Sequence, residues 1–228
     1  MILYILSILI KMKRFSTIAH RGFKSNDNSE VAIQNAIRAN FNVIEVDIHK
    51  TLDKHIVLHH DLFLNGYNIE KTPLDILQQI DPQIITIERF FEITFLLSPM
   101  QNHFEILLDL KGSSDIIDVL ITFLETIHSQ YLSRILISTF QRHHIDALIK
   151  SKIKVAGIGI SICNDFLPQE VVPYIDFVSV DMHILSSNLI NVLRKYNLVI
   201  FSFTCTSEQE YRFISSYDVD GIITDILL

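Results

Sequence analysis

From residue 16 to residue 224 this chain alternates short apolar runs with longer amphipathic stretches. Runs of about four to eight aliphatic and β-branched residues read as buried strands, and apolar stripes at three- to four-residue spacing read as helices. Eight strands are predicted at 16–20, 43–48, 105–110, 135–139, 155–160, 177–180, 199–203 and 221–224. Helices are predicted over 29–40, 87–97, 115–130, 142–150, 188–196 and 208–216, with only a short signal near Pro168–Val172. Strands separated by helices build a parallel sheet with the helices outside, and its simplest closed form is an α/β (β/α)8 TIM barrel.

Two features depart from a plain barrel. Residues 55–60 also read as a strand but follow Ile48 too closely for a helical crossover, because parallel partners need a dozen or more linking residues. Residues 51–54 are therefore predicted as a turn, with 55–60 running back as a β-hairpin, and a short insertion follows the second strand over 62–85. At the other end the last predicted strand is followed by only Asp225-Ile-Leu-Leu228, so no clear eighth helix is expected. The apolar residues 1–11 are expected to cover the gap as a short helix.

Size and composition place these elements in one compact domain over 14–228, preceded by an apolar extension over 1–13. The formal charge of −7 argues against a nucleic-acid binder, which carries a basic stripe or patch. Cys163 and Cys205 form neither a metal spacing nor a disulfide framework and are expected to be buried in a reducing compartment. The ten apolar residues at the start are too few to span a bilayer, which takes about 20, and their basic flank (Lys11, Lys13, Arg14) lies on the wrong side for a secretory signal. A cytoplasmic protein is expected, with weak membrane-surface contact through residues 1–11 as the alternative to packing on the barrel. Met1 and Met12 are both candidate starts.

The candidate chemistry sits at strand ends. Alternation along a strand sends Glu45 and Asp47 to one face and Ile44, Val46 and Ile48 to the other. On 105–111 it likewise separates Asp109 and Lys111 from Ile106, Leu108 and Leu110. Barrels of this kind gather their reactive groups at the C-terminal strand ends, where Glu45, Asp47 and Asp109 would converge. Two carboxylates about 5 Å apart repel by roughly 3 kcal/mol at an effective dielectric near 20. Three together need either protons or a cation, and an all-oxygen donor set selects a hard divalent ion, magnesium or calcium, with manganese also suitable. His20 and His60 close facing elements beside these acids and suit proton transfer near neutral pH. Arg21 can grip a phosphate through two parallel hydrogen bonds, and Lys111 adds a point charge. His59 competes with His60, but alternation turns it to the other face.

With these residues laid out, the chain resembles the glycerophosphodiester phosphodiesterase family. Its H-R-G motif matches His20-Arg21-Gly22, its E-x-D matches Glu45-Val-Asp47, and its H-D matches His60-Asp61. The T-L-E helix start looks like Thr86-Ile-Glu88, the acidic-x-lysine element falls on Asp109-Leu-Lys111, and S-x-F falls on Ser138-Thr-Phe140. The closing D-G-I-I-T-D is intact at Asp220–Asp225. The resemblance implies a metal-dependent barrel that hydrolyses glycerophosphodiesters to an alcohol and glycerol 3-phosphate. It implies Glu45, Asp47 and Asp109 as ligands of one divalent cation, His20 and His60 as the acid/base pair, and Arg21 and Lys111 as the phosphate grip. Several positions depart from the family pattern. Asn26-Asp-Asn-Ser29 stands for P-E-N-T, Asp109 for the usual glutamate, and Phe203 for tryptophan, and the insertion over 62–85 is short. Two rival readings use the same site: a lysophospholipase D acting on lysolipids, and a non-catalytic barrel that binds a phosphodiester.

Other features read as structural. Phe90, Phe91 and Phe95 fit a buried helix face. His143-His144 reads as an exposed helical face, and His183 follows a strand end, where it either rims the pocket or is structural.

Overall fold

Valine and isoleucine dominate the runs that become strands, because their stiff branched side chains suit extended backbone packed on a pleated surface. The computed structural model describes residues 16–96 and 104–227. In chain order its strands are β1 (Ser16–Ala19), β2 (Val43–Lys50), β3 (Ile56–Leu58), β4 (Phe63–Leu64), β5 (Tyr67–Asn68), β6 (Glu105–Leu110), β7 (Ile135–Thr139), β8 (Gly157–Ile162), β9 (Phe177–Asp181), β10 (Val199–Cys205) and β11 (Gly221–Thr224). Eight of them are parallel and closed: β6 to β11 pair in succession, β2 joins β6, and β1 pairs with both β11 and β2. The molecule is a (β/α)8 barrel. β3 lies antiparallel on β2, with Ile48 opposite Leu58, as the short 51–54 turn requires.

The helices are α1 (Glu30–Arg38), α2 (Leu74–Ile80), α3 (Ile87–Phe91), α4 (Ile116–Leu124), α5 (Ser129–Leu132), α6 (Arg142–Ser151), α7 (Ser187–Lys195) and α8 (Glu208–Ile214). Polar side chains cap the start of several of them. Ser29 accepts the Ala32 N–H at 3.2 Å, and Ser207 forms a reciprocal capping box with Glu210. Only a 3-10 turn (Val172–Tyr174) stands between β8 and β9, and residues 225–227 form no helix. The helix expected over 1–11 lies outside the described residues.

Some predicted elements differ from those observed. The 115–130 helix is two pieces, α4 and α5. The Thr126 hydroxyl donates to the Phe123 carbonyl at 2.7 Å, and His128 accepts from Gln130 N–H, so side chains compete with the helical ladder at the break. The 155–160 strand is displaced toward Ile162, because Val155 packs in the core before the ladder begins at Gly157. The 62–85 insertion holds the hairpin β4–β5 and helix α2, which the short periodic signal did not reveal. Val57, Leu64, Ile69, Leu77 and Ile84 give it a small core of its own. His144 is buried, not exposed: its Nδ1 lies 2.8 Å from Thr139 Oγ1, so the helix start turns it inward. Cys163 is exposed beyond the end of β8, whereas Cys205 is buried as expected.

Two apolar layers set the height of the polar residues. Outside the ring, Ile44, Val46, Ile48, Ile106, Leu108 and Leu110 meet the helices. Inside it, Ile18, Val43, Leu107, Leu136, Phe177 and Phe201 fill the lumen. Gly159 permits that filling, since any Cβ there would collide with the Phe177 ring. Polar side chains on the inward face therefore lie one step further along each strand, at the C-terminal mouth. Among the described residues no helix is long and apolar enough to cross a membrane.

Candidate active site

Glu45 and Asp47 follow the inward-facing Val43 on β2, and the parallel register sets Asp109 on β6 directly beside Asp47. All three carboxylates are buried, and one oxygen from each lies within 4.8 Å of the others. Two cations thread this cluster. Lys111 Nζ is 3.0 Å from Asp47 Oδ1 and 2.6 Å from Asp109 Oδ2. Arg21 Nε is 3.0 Å from Asp47 Oδ2, and its Nη1 donates to Asp27 Oδ2 at 3.0 Å.

Local backbone makes this possible. Arg21 and Gly22 both take positive φ, 55° and 92°, in the tight turn that leaves β1. That turn aims the Arg21 N–H at Glu45 Oε2, 2.9 Å away. Gly22 is required here, because a Cβ would lie 2.6 Å from the Ala32 Cβ at the start of α1. Asn28 clamps Asp47 from both sides, donating from Nδ2 to Oδ2 at 3.0 Å and accepting the Asp47 N–H at 3.1 Å. Ser138 on β7 donates to Asp109 Oδ1 at 2.8 Å.

The crowding separates the three acids. Burial, then the nearby Asp47 charge, pushes the Glu45 carboxyl up to about 8 against the pull of His20. Burial and Asp47 also raise Asp109, even though Lys111 opposes them. Burial would raise Asp47 too, but Lys111, Arg21 and the Asn28 hydrogen bond hold it below the usual carboxylate range. Burial opposes the Lys111 charge and is outweighed by Asp109 and Asp47, so the ammonium is held charged more firmly than usual.

Two imidazoles complete the site, each tied to a carboxylate through Nδ1. His20 Nδ1 is 2.8 Å from Asp225 Oδ1, and His60 Nδ1 is 2.7 Å from Asp61 Oδ1. A carboxylate partner calls for a proton on Nδ1 and leaves Nε2 of each ring for exchange. Burial lowers the affinity of His20 for its proton, but Asp225 and Glu45 overcome this and raise it above the ordinary histidine value. His49, buried on β2, has its Nε2 3.2 Å from the His60 carbonyl oxygen and so supports the loop that carries His60.

One cavity of about 150 Å³ at the mouth is lined by all seven candidate residues: His20, Arg21, Glu45, Asp47, His60, Asp109 and Lys111. Phe140, Phe203, Leu107 and Ile223 supply apolar lining to the same cavity. A second cavity of about 280 Å³ adjoins it, sharing Arg21 and His60. His59 lines the second cavity and not the first, in keeping with the turn of the chain between the two histidines. His183 is exposed, pairs with Asp181 and does not line the site. Asn28, Asp225 and His49 were not singled out by the sequence. Asn28 and Asp225 stood inside quoted motifs, but only the fold shows which atoms they hold.

The donor set fits a hard divalent cation: all oxygen, convergent, and buried. The upward shifts of Glu45 and Asp109, both buried beside the Asp47 charge, mark a crowding of negative charge that such an ion would offset. Fold and site together define a (β/α)8 barrel whose mouth combines a buried acidic triad, two carboxylate-paired histidines and two cationic side chains.

Comparison with known proteins points the same way. The model of the glycerophosphoryl diester phosphodiesterase family matches residues 20–75, the stretch that holds His20, Arg21, Glu45, Asp47 and His60. A solved glycerophosphodiester phosphodiesterase from Thermotoga maritima superposes with a TM-score of 0.74 at 22% identity, covering 93% of this chain and 95% of that one. An Oleispira antarctica phosphodiesterase in complex with the product sn-glycerol-3-phosphate superposes with a TM-score of 0.80 at 17% identity over 92% of both chains. A glycerophosphodiester phosphodiesterase from Parabacteroides distasonis gives 0.80 at 17% identity over 93% of both. No curated protein sequence matches the chain. The chain resembles the glycerophosphodiester phosphodiesterase family in its motif-bearing stretch and in its whole fold.

Proposed function

We propose that this protein is a phosphoric diester hydrolase that cleaves glycerophosphodiesters to an alcohol and glycerol 3-phosphate. The observation that carries the reading is the pairing of two carboxylate-held imidazoles with a buried acidic triad around one cavity. Simple binding of a diester needs no proton donor and acceptor. Glu45, Asp47 and Asp109 would hold a divalent cation, magnesium, calcium or manganese, which when bound supplies charge neutralisation to the phosphodiester. Arg21 and Lys111 hold the phosphate and stabilise negative charge as it builds, the kind of preorganised contribution that usually dominates catalysis. One histidine takes a proton at Nε2 from the attacking oxygen, and the other gives one from Nε2 to the leaving alkoxide. The attacking oxygen belongs to water, or to a neighbouring glycerol hydroxyl that expels the alcohol and closes a cyclic phosphate, which water then opens to glycerol phosphate.

A lysolipid substrate is the second reading. Leu62 and Phe63, just after Asp61, are 42% and 52% exposed, and Phe140 at the cavity wall is 44% exposed, so apolar surface stands where an acyl chain would approach. The apolar residues 1–11 would add weak membrane-surface contact to a protein that otherwise works in the cytoplasm on a small soluble substrate. A panel of glycerophosphodiesters and lysolipids at equal concentration, run with each cation and with a chelator, tests both. Glycerol 3-phosphate release from the deacylated diesters supports the first reading, and preference for lysolipids supports the second. Tight binding without product under every cation overturns hydrolysis.

A further inference from the structure

The main cavity is lined by apolar as well as polar side chains, and the two kinds touch: Lys111 Nζ lies 5.1 Å from the centre of the Phe140 ring. Its apolar lining is Phe140 and Phe203, in edge-to-face contact at 5.5 Å and 82°, with Leu107 and Ile223. Ser161 also lines this cavity. On β8 the outward Ile160 and Ile162 pack toward the helices, so Gly159 and Ser161 face the lumen. Ser138 spends its hydroxyl on Asp109. Among the described residues no hydrogen bond engages the Ser161 hydroxyl, although the residue is only 7% exposed. Ser179, in register with Ser161 on β9 and facing the same lumen, has a buried Oγ without a partner. The Ser161 hydroxyl opens on the cavity with no protein partner among the described residues, so it is available to a polar ligand atom.

Under the proposed function the two adjoining cavities would take the two sides of a phosphodiester. They meet at Arg21 and His60, where the phosphate would lie under the proposed function on which this inference rests. The adjoining cavity of about 280 Å³, lined by Asn26, Asp27, Asp81 and Gln83, is nearly twice the size of the main one and more polar, and it suits an alcohol of variable size. The main cavity of about 150 Å³ suits a small unit with a carbon skeleton for the rings and a hydroxyl for Ser161.

We propose that Ser161 is a specificity-determining residue, whose hydroxyl hydrogen-bonds a hydroxyl of the substrate glycerol. A site built to bond a hydroxyl rejects the analogue that lacks it, because its own polar group is then left unpaired. The test is a cycle of Ser161→Ala against substrate deletions. Wild type and variant are assayed on glycerophosphoethanolamine and on the diesters in which propane-1,2-diol or propane-1,3-diol replaces glycerol. The expected result is a loss of about tenfold in kcat/KM when Ser161→Ala meets the glycerol diester, and a much smaller loss on one of the two deoxy analogues. Equal losses on all three substrates would overturn the contact. Wild-type protein that cleaves bis(4-nitrophenyl) phosphate but no glycerophosphodiester would instead overturn the proposed function, and this inference with it.

Discussion

A Glu45→Gln substitution keeps the shape of a buried side chain and removes its charge. In the metal-free protein the Glu45 carboxyl holds its proton up to about 8, against an ordinary 4.5, because it is buried beside Asp47. The folded state therefore binds a proton that the unfolded chain has already released between those two pH values. Stability must fall as pH rises through that interval, by about 1.4 kcal/mol per pH unit and roughly 4–5 kcal/mol in all. Glutamine has no proton to lose, and its amide oxygen can still accept the Arg21 N–H that Glu45 Oε2 accepts at 2.9 Å. Urea unfolding from pH 5 to pH 9 in chelator should thus show the wild type losing stability relative to Glu45→Gln as pH rises, with the difference levelling off near pH 8. Added magnesium, manganese or calcium should restore the wild type at high pH, by about 2.7 kcal/mol at a hundredfold excess over the dissociation constant, and should do far less for the variant. Parallel pH profiles in chelator, together with equal response to cations, would refute the charge crowding and the triad as a cation site.

His20→Ala and His60→Ala should each lower kcat at least about tenfold, within the hundred- to ten-thousand-fold range of acid/base catalysis, while circular dichroism stays unchanged. Near-native rates in both would remove the histidine mechanism. Asp225→Asn should lower kcat and shift the rate limb governed by His20 to lower pH, because the 2.8 Å contact with Asp225 helps raise that histidine. A pH–rate profile that does not move would show that Asp225 does not act on His20. Gly22→Ala should cost about 2–4 kcal/mol in denaturant unfolding, since it forces a side chain into positive φ and into Ala32.

Much of this protein is legible in its sequence because the period of a strand is two. Alternation along 43–48 and 105–111 separates the inward acids from the outward isoleucines and leucines, and that alone places Glu45, Asp47 and Asp109 on polar faces. The short spacing after Ile48 likewise forces the antiparallel strand β3. The motif order supplies His20, Arg21, His60 and Lys111. Pattern alone did not reveal α2, the β4–β5 hairpin, the break between α4 and α5, or the buried state of His144. In each case a few residues act through individual side-chain hydrogen bonds or a small local core, and such effects leave no periodic trace.

What only the tertiary structure decided is which atoms meet across the ring. Closure of β1 onto β11 brings Asp225 to His20 across 205 positions of chain. The β2–β6 register, not the spacing of either strand, makes Asp47 and Asp109 neighbours. The energetic identity of each acid follows from the same closure: Asp47 stays ionised between Lys111 and Arg21, while Glu45, buried with less compensation, keeps its proton. Residue type and order along the chain determined what chemistry is available. Its distribution among the side chains depends on burial and on distances of a few ångströms, and those exist only once the barrel has closed.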